Sequence, residues 1–434
     1  MDAAELDGRF RSYSRCIPPS LVSRLFDLGH AEEVAFQAGR GEWFCALELV
    51  RRLDGQGRRA EAWEVIAPYV DTGWWTAAEA AAALLERWGR ADEAIALARP
   101  YAERGDRLAL AAFARLLARH GRSGEAFALL LPHLGDGFLA TALVDVAGVA
   151  GRDEEAAALL AARIEAARRD SDQAGRRTGP APTNAVFLLA AIRERQGRVE
   201  EAIALLSPDA ADASAHGYQA LADLLARQGR TEELRAYAGR LESAAERLAE
   251  LLEQRGDLEG AIAVYRNPSA SQGLRRFAAV RLAGLLERHG RRDEAIGVLR
   301  SLADAPLGAE DWLVRRLCAL YADHGRPEQG LAYLDGLKSR TGGEEWSFFE
   351  MRLPLMAACG RREEAIELVR AHPEGDTWYG ASALAQLLAE AGRSEEAVAL
   401  LGALPSRSAA DLAEHLVSLG RVKEAVAVLQ EEQA

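Results

Sequence analysis

The chain has 434 residues, 49% of them hydrophobic and 27% charged, with a net charge of −13 at pH 7. That acidic balance disfavours nucleic acid as the main ligand, because affinity for phosphates comes largely from excess lysine and arginine, and lysine occurs only at Lys338 and Lys423. No apolar run reaches the roughly 18 residues of a membrane span and residues 1–19 lack an apolar signal core, which predicts a soluble, cytoplasmic protein. The arginine-heavy, lysine-poor usage points to a GC-rich bacterial genome.

Residues 1–20 are expected to form an N-terminal capping segment that shields an exposed end. From there a phrase recurs thirteen times: a glycine, usually an arginine, then two or three residues and an acid followed by a small residue. Its glycines are Gly29, Gly57, Gly89, Gly121, Gly151, Gly197, Gly229, Gly256, Gly290, Gly325, Gly360, Gly392 and Gly420. Around Gly392, Leu384, Ala385, Leu387 and Leu388 share one helical face before the glycine, and Ala397, Val398, Leu400 and Leu401 share one after it. Each phrase therefore predicts a helix-turn-helix hairpin. The glycine fits a left-handed residue just past a helix end, and the following arginine would complement the first helix's negative pole. Ser123, Asp153, Thr231, Asp293 and Ser394 suit the N-cap or first turn of the second helix. A small-residue column, including Ala62, Ala94, Ala202, Ala295 and Ala397, marks the closest helix approach.

Pro68, Pro100 and Pro132 set the early repeats apart and should kink or shorten their second helices, with Gly73, Gly105 and Gly137 near the helix ends. Residues 168–184 are polar, rich in glycine and proline, and lack a helical period, so a loop insertion is expected at 166–184. It would divide an N-terminal repeat block at 21–165 from a C-terminal block at 185–434.

Chemistry-bearing patterns are weak. Cys16, Cys45, Cys318 and Cys359 are scattered and read as buried free thiols. His120, His289 and His324 all precede a turn glycine and read as helix-end residues rather than metal ligands. Arg104, Gly105 and Asp106 spell an adhesion tripeptide by coincidence. No phosphate loop, metal motif or nucleophile elbow is present, so no catalytic residue, cofactor or metal is expected. Pro354 falls inside a first helix, where a kink could be mere packing or could open a pocket. Of the adjacent pair Trp74 and Trp75, one should be partly exposed or lie between repeats, since helical neighbours point about 100° apart.

The repeat resembles the tetratricopeptide repeat family, which carries a large-small pair seven or eight residues before the glycine, as in Leu221-Ala222, Leu282-Ala283 and Leu384-Ala385, and a large residue four before it, as in Leu85, Leu117 and Leu388. The family's aromatic core positions are mostly leucine or alanine here, and its late proline is generally missing. The resemblance implies an all-α solenoid, a right-handed superhelix of about twelve or thirteen antiparallel hairpins, whose first helices line a concave groove. Transferred onto this sequence, the groove-facing positions include one cluster at Asn184, Phe187, His216, Gln219 and Asp223, and another at Trp312, Arg315, Tyr379, Ser382 and Gln386, with Glu350 between. The expected function is a non-enzymatic scaffold or adaptor that binds a peptide or protein partner along that groove. A peptide- or small-molecule-sensing solenoid is the alternative, and a nucleic-acid-binding helical repeat the second alternative.

Overall fold

The computed structural model describes residues 2–173, 183–207, 215–266, 272–305, 310–341, 344–404 and 408–431. Among them the chain forms twenty-seven α-helices, one short 3-10 turn and no strand. It is an all-α solenoid: a leading helix, Ala3–Ser12, is followed by thirteen helix pairs, each turning at one of the recurring glycines. No helix of the described residues is long and apolar enough to cross a membrane.

All thirteen turn glycines adopt φ between 65° and 86°, where a Cβ would be strained. The residue after the glycine donates its N–H to a carbonyl five residues back, as in Arg58 to Leu53 at 2.9 Å, Arg291 to Leu286 at 2.8 Å and Arg393 to Leu388 at 2.8 Å. This bond ends the first helix by satisfying a carbonyl that has lost its helical partner.

Where an arginine follows the glycine it does more than complement the helix dipole. In nearly all of these repeats its guanidinium grips the glutamate three residues on, in the second helix: Arg90 with Glu93 at 2.5 Å, Arg361 with Glu364 at 2.6 Å, Arg421 with Glu424 at 2.6 Å. In several repeats the same arginine also reaches an acid of the preceding hairpin, as Arg230 does to Glu200 at 2.6 Å, Arg291 to Glu259 at 2.5 Å and Arg393 to Glu363 at 3.2 Å. Ser123, Asp153, Thr231, Asp293 and Ser394 lie in the first turn of their helices, as the pattern predicts.

The small column is fully sequestered: Ala62, Ala94, Ala126, Ala202, Ala295 and Ala397 are all 0% exposed. Where Gly330 replaces the alanine, an added Cβ would meet Leu355 Cδ2 at 2.9 Å. In these repeats the helices approach closely at a small side chain, while Val34 and Leu234 fill the same slot, also fully buried, in two others.

The chain divides into two compact units, Met1–Gly89 with Glu310–Ala434, and Arg90–Ala309. In the first, the leading helix is pinned by aromatic packing of Phe10 against Phe44 and Trp74, with ring centroids 5.9 and 5.7 Å apart. Trp74 Nε1 also donates to Asp7 at 3.2 Å. Both Trp74 and Trp75 are buried, so neither is partly exposed, and Trp74 lies between repeats, its ring 4.9 Å from Trp43 of the preceding hairpin. Trp74 is the extended N-cap of helix Trp75–Arg87, so helical angles do not separate the two rings. The same unit joins the first repeats to the last: Arg24 donates to Ser418 Oγ at 2.7 Å, and Gln430 to Gln37 Oε1 at 3.1 Å. Beside this seam Glu42 is 2% exposed and pairs with Arg9 at 2.5 Å. Burial pushes the Glu42 carboxyl up from 4.5 to about 7, against the opposing pull of Arg9.

In the second unit the sequence expectation at 166–184 fails in part. Helix Asp153–Gln173 runs through the first half of the expected loop and helix Thr183–Arg195 begins before its end, leaving residues 174–182 outside the described residues. Alanine, arginine and glutamine sustain a helix by propensity without an apolar face, which is why periodicity overlooked it. Gly137 opens helix Gly137–Ala150 behind the Asp136 cap instead of closing a helix, whereas Gly73 and Gly105 do turn with positive φ. Pro68 and Pro100 lie inside the helices Arg59–Val70 and Ala91–Glu103, while Pro132 falls in the short turn Leu131–His133 that follows a shortened helix. Cys16, Cys45 and Cys318 are buried free thiols, but Cys359 is only partly buried. His120 and His324 are C-caps, and His289 directly follows a helix end. Gly105 and Asp106 likewise form a helix junction, with Asp106 capping Arg107–Arg119.

Two substitutions within one hairpin test the turn. Gly290→Ala, at φ 72°, should destabilise by about 1–2 kcal/mol, whereas Gly297→Ala, inside helix Arg292–Ala303 with open space around its Cα, should stabilise by roughly 0.5–1 kcal/mol. Denaturant unfolding of both variants checks the contrast, and equal effects would refute it. A second test uses Glu42. With its folded value above the ordinary 4.5, folding takes up a proton, so the stability this group contributes is present below pH 4.5 and is lost as pH rises through about 7. Glu42→Gln removes that titration; the stability of wild type relative to the variant should fall between these values and level off above them, and a pH-independent difference would contradict the assignment.

Candidate functional site

Three successive first helices, Asp311–Asp323, Trp346–Ala358 and Trp378–Glu390, each begin with an aromatic residue at or beside the N-terminus: Trp312, Trp346 and Trp378. Trp312 and Trp378 stand 47% and 55% exposed, unusual for indole rings. Trp312 Nε1 donates to Glu310 at 2.6 Å, which fixes its ring at the helix entrance.

Further along these helices a cavity of about 310 Å³ is walled by Arg315, Glu350, Ser382, Gln386 and Glu390 over a floor that includes Leu353 and Pro354. Pro354, which cannot donate an N–H and sits mid-helix, does line a pocket. Arg315 faces Glu350 at 3.3 Å, Gln386 donates to Glu390 at 3.2 Å, and Ser382 Oγ donates to Asp411 at 2.6 Å. Arg362 approaches Glu390 at 3.7 Å from the second-helix side. The walls carry two carboxylates against one guanidinium, beside hydroxyl and amide groups held in place by helix partners.

Of the second predicted cluster, Arg315, Ser382 and Gln386 therefore converge, and Trp312 lies on the same helix as Arg315. Tyr379 does not line the cavity. Its hydroxyl donates to the Glu374 carboxylate, a bond that raises the phenol above its usual range, and its ring packs against Trp346 and Trp378 at 5.3 and 5.5 Å. Glu390 and Trp378 are not among the positions the resemblance supplies: Glu390 ends its helix beside the turn, and Trp378 directly precedes Tyr379.

The first cluster is split. Asn184 Nδ2 donates to the Gly137 carbonyl at 2.5 Å and so serves as a tie between helices, and Phe187 is partly buried. His216 lies in helix Ala215–Arg227, but its side chain is outside the described residues. Gln219 donates to Asp223 at 3.1 Å, and Asp223 accepts from Arg247 at 2.6 Å beside a shallow cavity of about 420 Å³. Arg247 is shared with Glu250 at 2.6 Å, so this polar chain is largely self-satisfied. Among the described residues no group of three His, Cys, Asp or Glu side chains converges where a metal ion could sit.

No protein-family model matches the chain, and no curated protein matches it. Solved structures do. One is Naa15/Naa10 bound to HypK-THB, 14% identical with a TM-score of 0.40, the match covering 95% of this chain and 74% of that one. Another is the pentatricopeptide repeat protein PPR10 in complex with an 18-nt psaJ RNA element, 16% identical with a TM-score of 0.39, covering 98% and 70%. PPR10 from maize aligns at a TM-score of 0.30. At these scores the alignments carry no weight on partner or activity, so the ligand class rests on the chain's own surface; the chain itself is a helical-repeat solenoid.

Proposed function

We propose that this chain is a non-enzymatic, cytoplasmic scaffold that holds an extended peptide segment of a protein partner across the helices Asp311–Asp323, Trp346–Ala358 and Trp378–Glu390, in assembly or regulation. The observation that carries this reading is one cavity built by three successive first helices, flanked by exposed tryptophans at the helix entrances. Exposed indoles beside fixed polar groups are the composition of a recognition surface, since aromatic anchors bury much area at little entropic cost. With Glu350 and Glu390 in the walls, the cavity suits a basic side chain of the bound segment, and Trp312 or Trp378 offers a ring to an adjacent apolar residue or a cation.

The sensing alternative draws support from one observation, the contact between first and last repeats through Arg24 with Ser418 and Gln37 with Gln430. A ligand that altered that contact would change the solenoid's geometry. The RNA alternative has only the fold behind it, since the net charge is −13.

Selection of a random dodecapeptide library on the full chain tests the reading. Enriched sequences should combine a basic residue with an aromatic or large apolar one, and Glu350→Gln/Glu390→Gln should weaken their binding by about tenfold or more, at least 1.4 kcal/mol, with helicity and melting unchanged. Absence of enrichment, undiminished binding by the variant, or salt-sensitive retention of the wild type on an RNA resin in place of peptide binding would overturn it.

A further inference from the structure

A second cavity, separate from the groove, lies at the seam between the first repeats and the helix Val422–Gln430. It encloses about 340 Å³ and is lined by Arg9, Arg15, Arg40, Gln37, Glu42 and Gln430, with Glu5 at its edge. Three guanidinium groups thus meet two carboxylates in a protein whose net charge is −13. One of those carboxylates, Glu42, is buried and already committed to Arg9.

The placement of the arginines is built into the backbone. Arg9 Nη2 donates to the Arg15 carbonyl at 2.7 Å as well as to Glu42, and Arg9 Nε is buried with no acceptor among the described residues. A buried donor without an acceptor is destabilising unless a bound group supplies one. Arg15 sits at φ 54° and nearby Tyr13 at φ 52°, the two non-glycine residues with left-handed backbone among those described. Such conformations persist where the surroundings hold them in place, and they bend residues 13–15 so that Arg15 returns to the cavity. Arg40 lies over the Phe36 ring at 5.6 Å, and the Gln37 and Gln430 amides bridge the seam at 3.1 Å.

We propose that this cavity binds a small anion through its carboxylate or phosphate group, and that its occupancy fastens the Val422–Gln430 helix to the first repeats. Planar guanidinium forks match the oxygen pairs of both groups, and the amides can fix a second polar group of the ligand. Because Gln430 belongs to the last described helix and the arginines to the first segments, a ligand seated here stabilises their contact by mass action.

Calorimetric titration of the full chain with inorganic phosphate and, separately, with succinate, each at an ionic strength held constant with sodium chloride, tests the proposal. One-site binding of phosphate alone identifies a phosphate-bearing ligand, and of succinate alone a carboxylate-bearing one. In either case Arg15→Ala/Arg40→Ala, which removes two exposed side chains, should raise the Kd by about tenfold or more. Gln430→Ala, made in the last helix and away from the strained turn, should also weaken binding, and ligand should slow amide exchange across residues 422–430 of the wild type. Glu350→Gln/Glu390→Gln should leave this binding intact, which separates the site from the peptide groove. Lack of saturable binding by either anion, or equal binding by wild type and both seam variants, would overturn the proposal.

Discussion

The architecture depends on one local constraint, the left-handed glycine between the two helices of every hairpin. With φ near 65–86° the chain reverses within a few residues, and the N–H that follows closes back onto the first helix. That reversal fixes where the second helix starts, and so brings the small residue five positions after the glycine against its neighbours. The column is completely buried in repeats as distant as those of Ala62 and Ala425. Turn and packing are thus coupled: the backbone conformation sets the helix path, and the methyl-sized slot sets the approach.

The arginine column adds specificity more than stability. These pairs are mostly exposed, and such pairs are worth about 0–1 kcal/mol each. Their significance is geometric, because one guanidinium answers an acid of its own helix and an acid of the preceding hairpin, as Arg230 does with Glu233 and Glu200. A lysine presents a point charge and could not span both acceptors in the same way. The scarcity of lysine, which composition alone assigns to genome bias, therefore has a structural counterpart in the turns.

Features encoded by short-range pattern were legible in the sequence: the turn glycines, the alanine column and the helix-end histidines. Those that depend on a partner chosen in space were not. Asn184, a groove-facing position by the resemblance, ties its helix to the Gly137 carbonyl, 47 residues earlier in sequence. Tyr379, a groove-facing position by the resemblance, is held by Glu374 and packed on Trp346, neither of which has a periodic relation to it. The last turns of the helix Asp153–Gln173, beyond Ile164, carry no apolar stripe, and the seam joining Gln37 to Gln430 spans 393 positions with no periodic signal. Periodicity reports which face of a helix is buried and is silent on what covers it.

The cavity shared by the helices Asp311–Asp323, Trp346–Ala358 and Trp378–Glu390 follows from the same constraint, since equivalent turns present equivalent first-helix faces side by side. The central claim is that this repeated face is where the chain grips a peptide. Amide hydrogen exchange of the full chain with and without a library-selected peptide tests it most directly. The account predicts slowed exchange concentrated in residues 311–323, 346–358 and 378–390; protection confined to other helices, with these three unchanged, would contradict it.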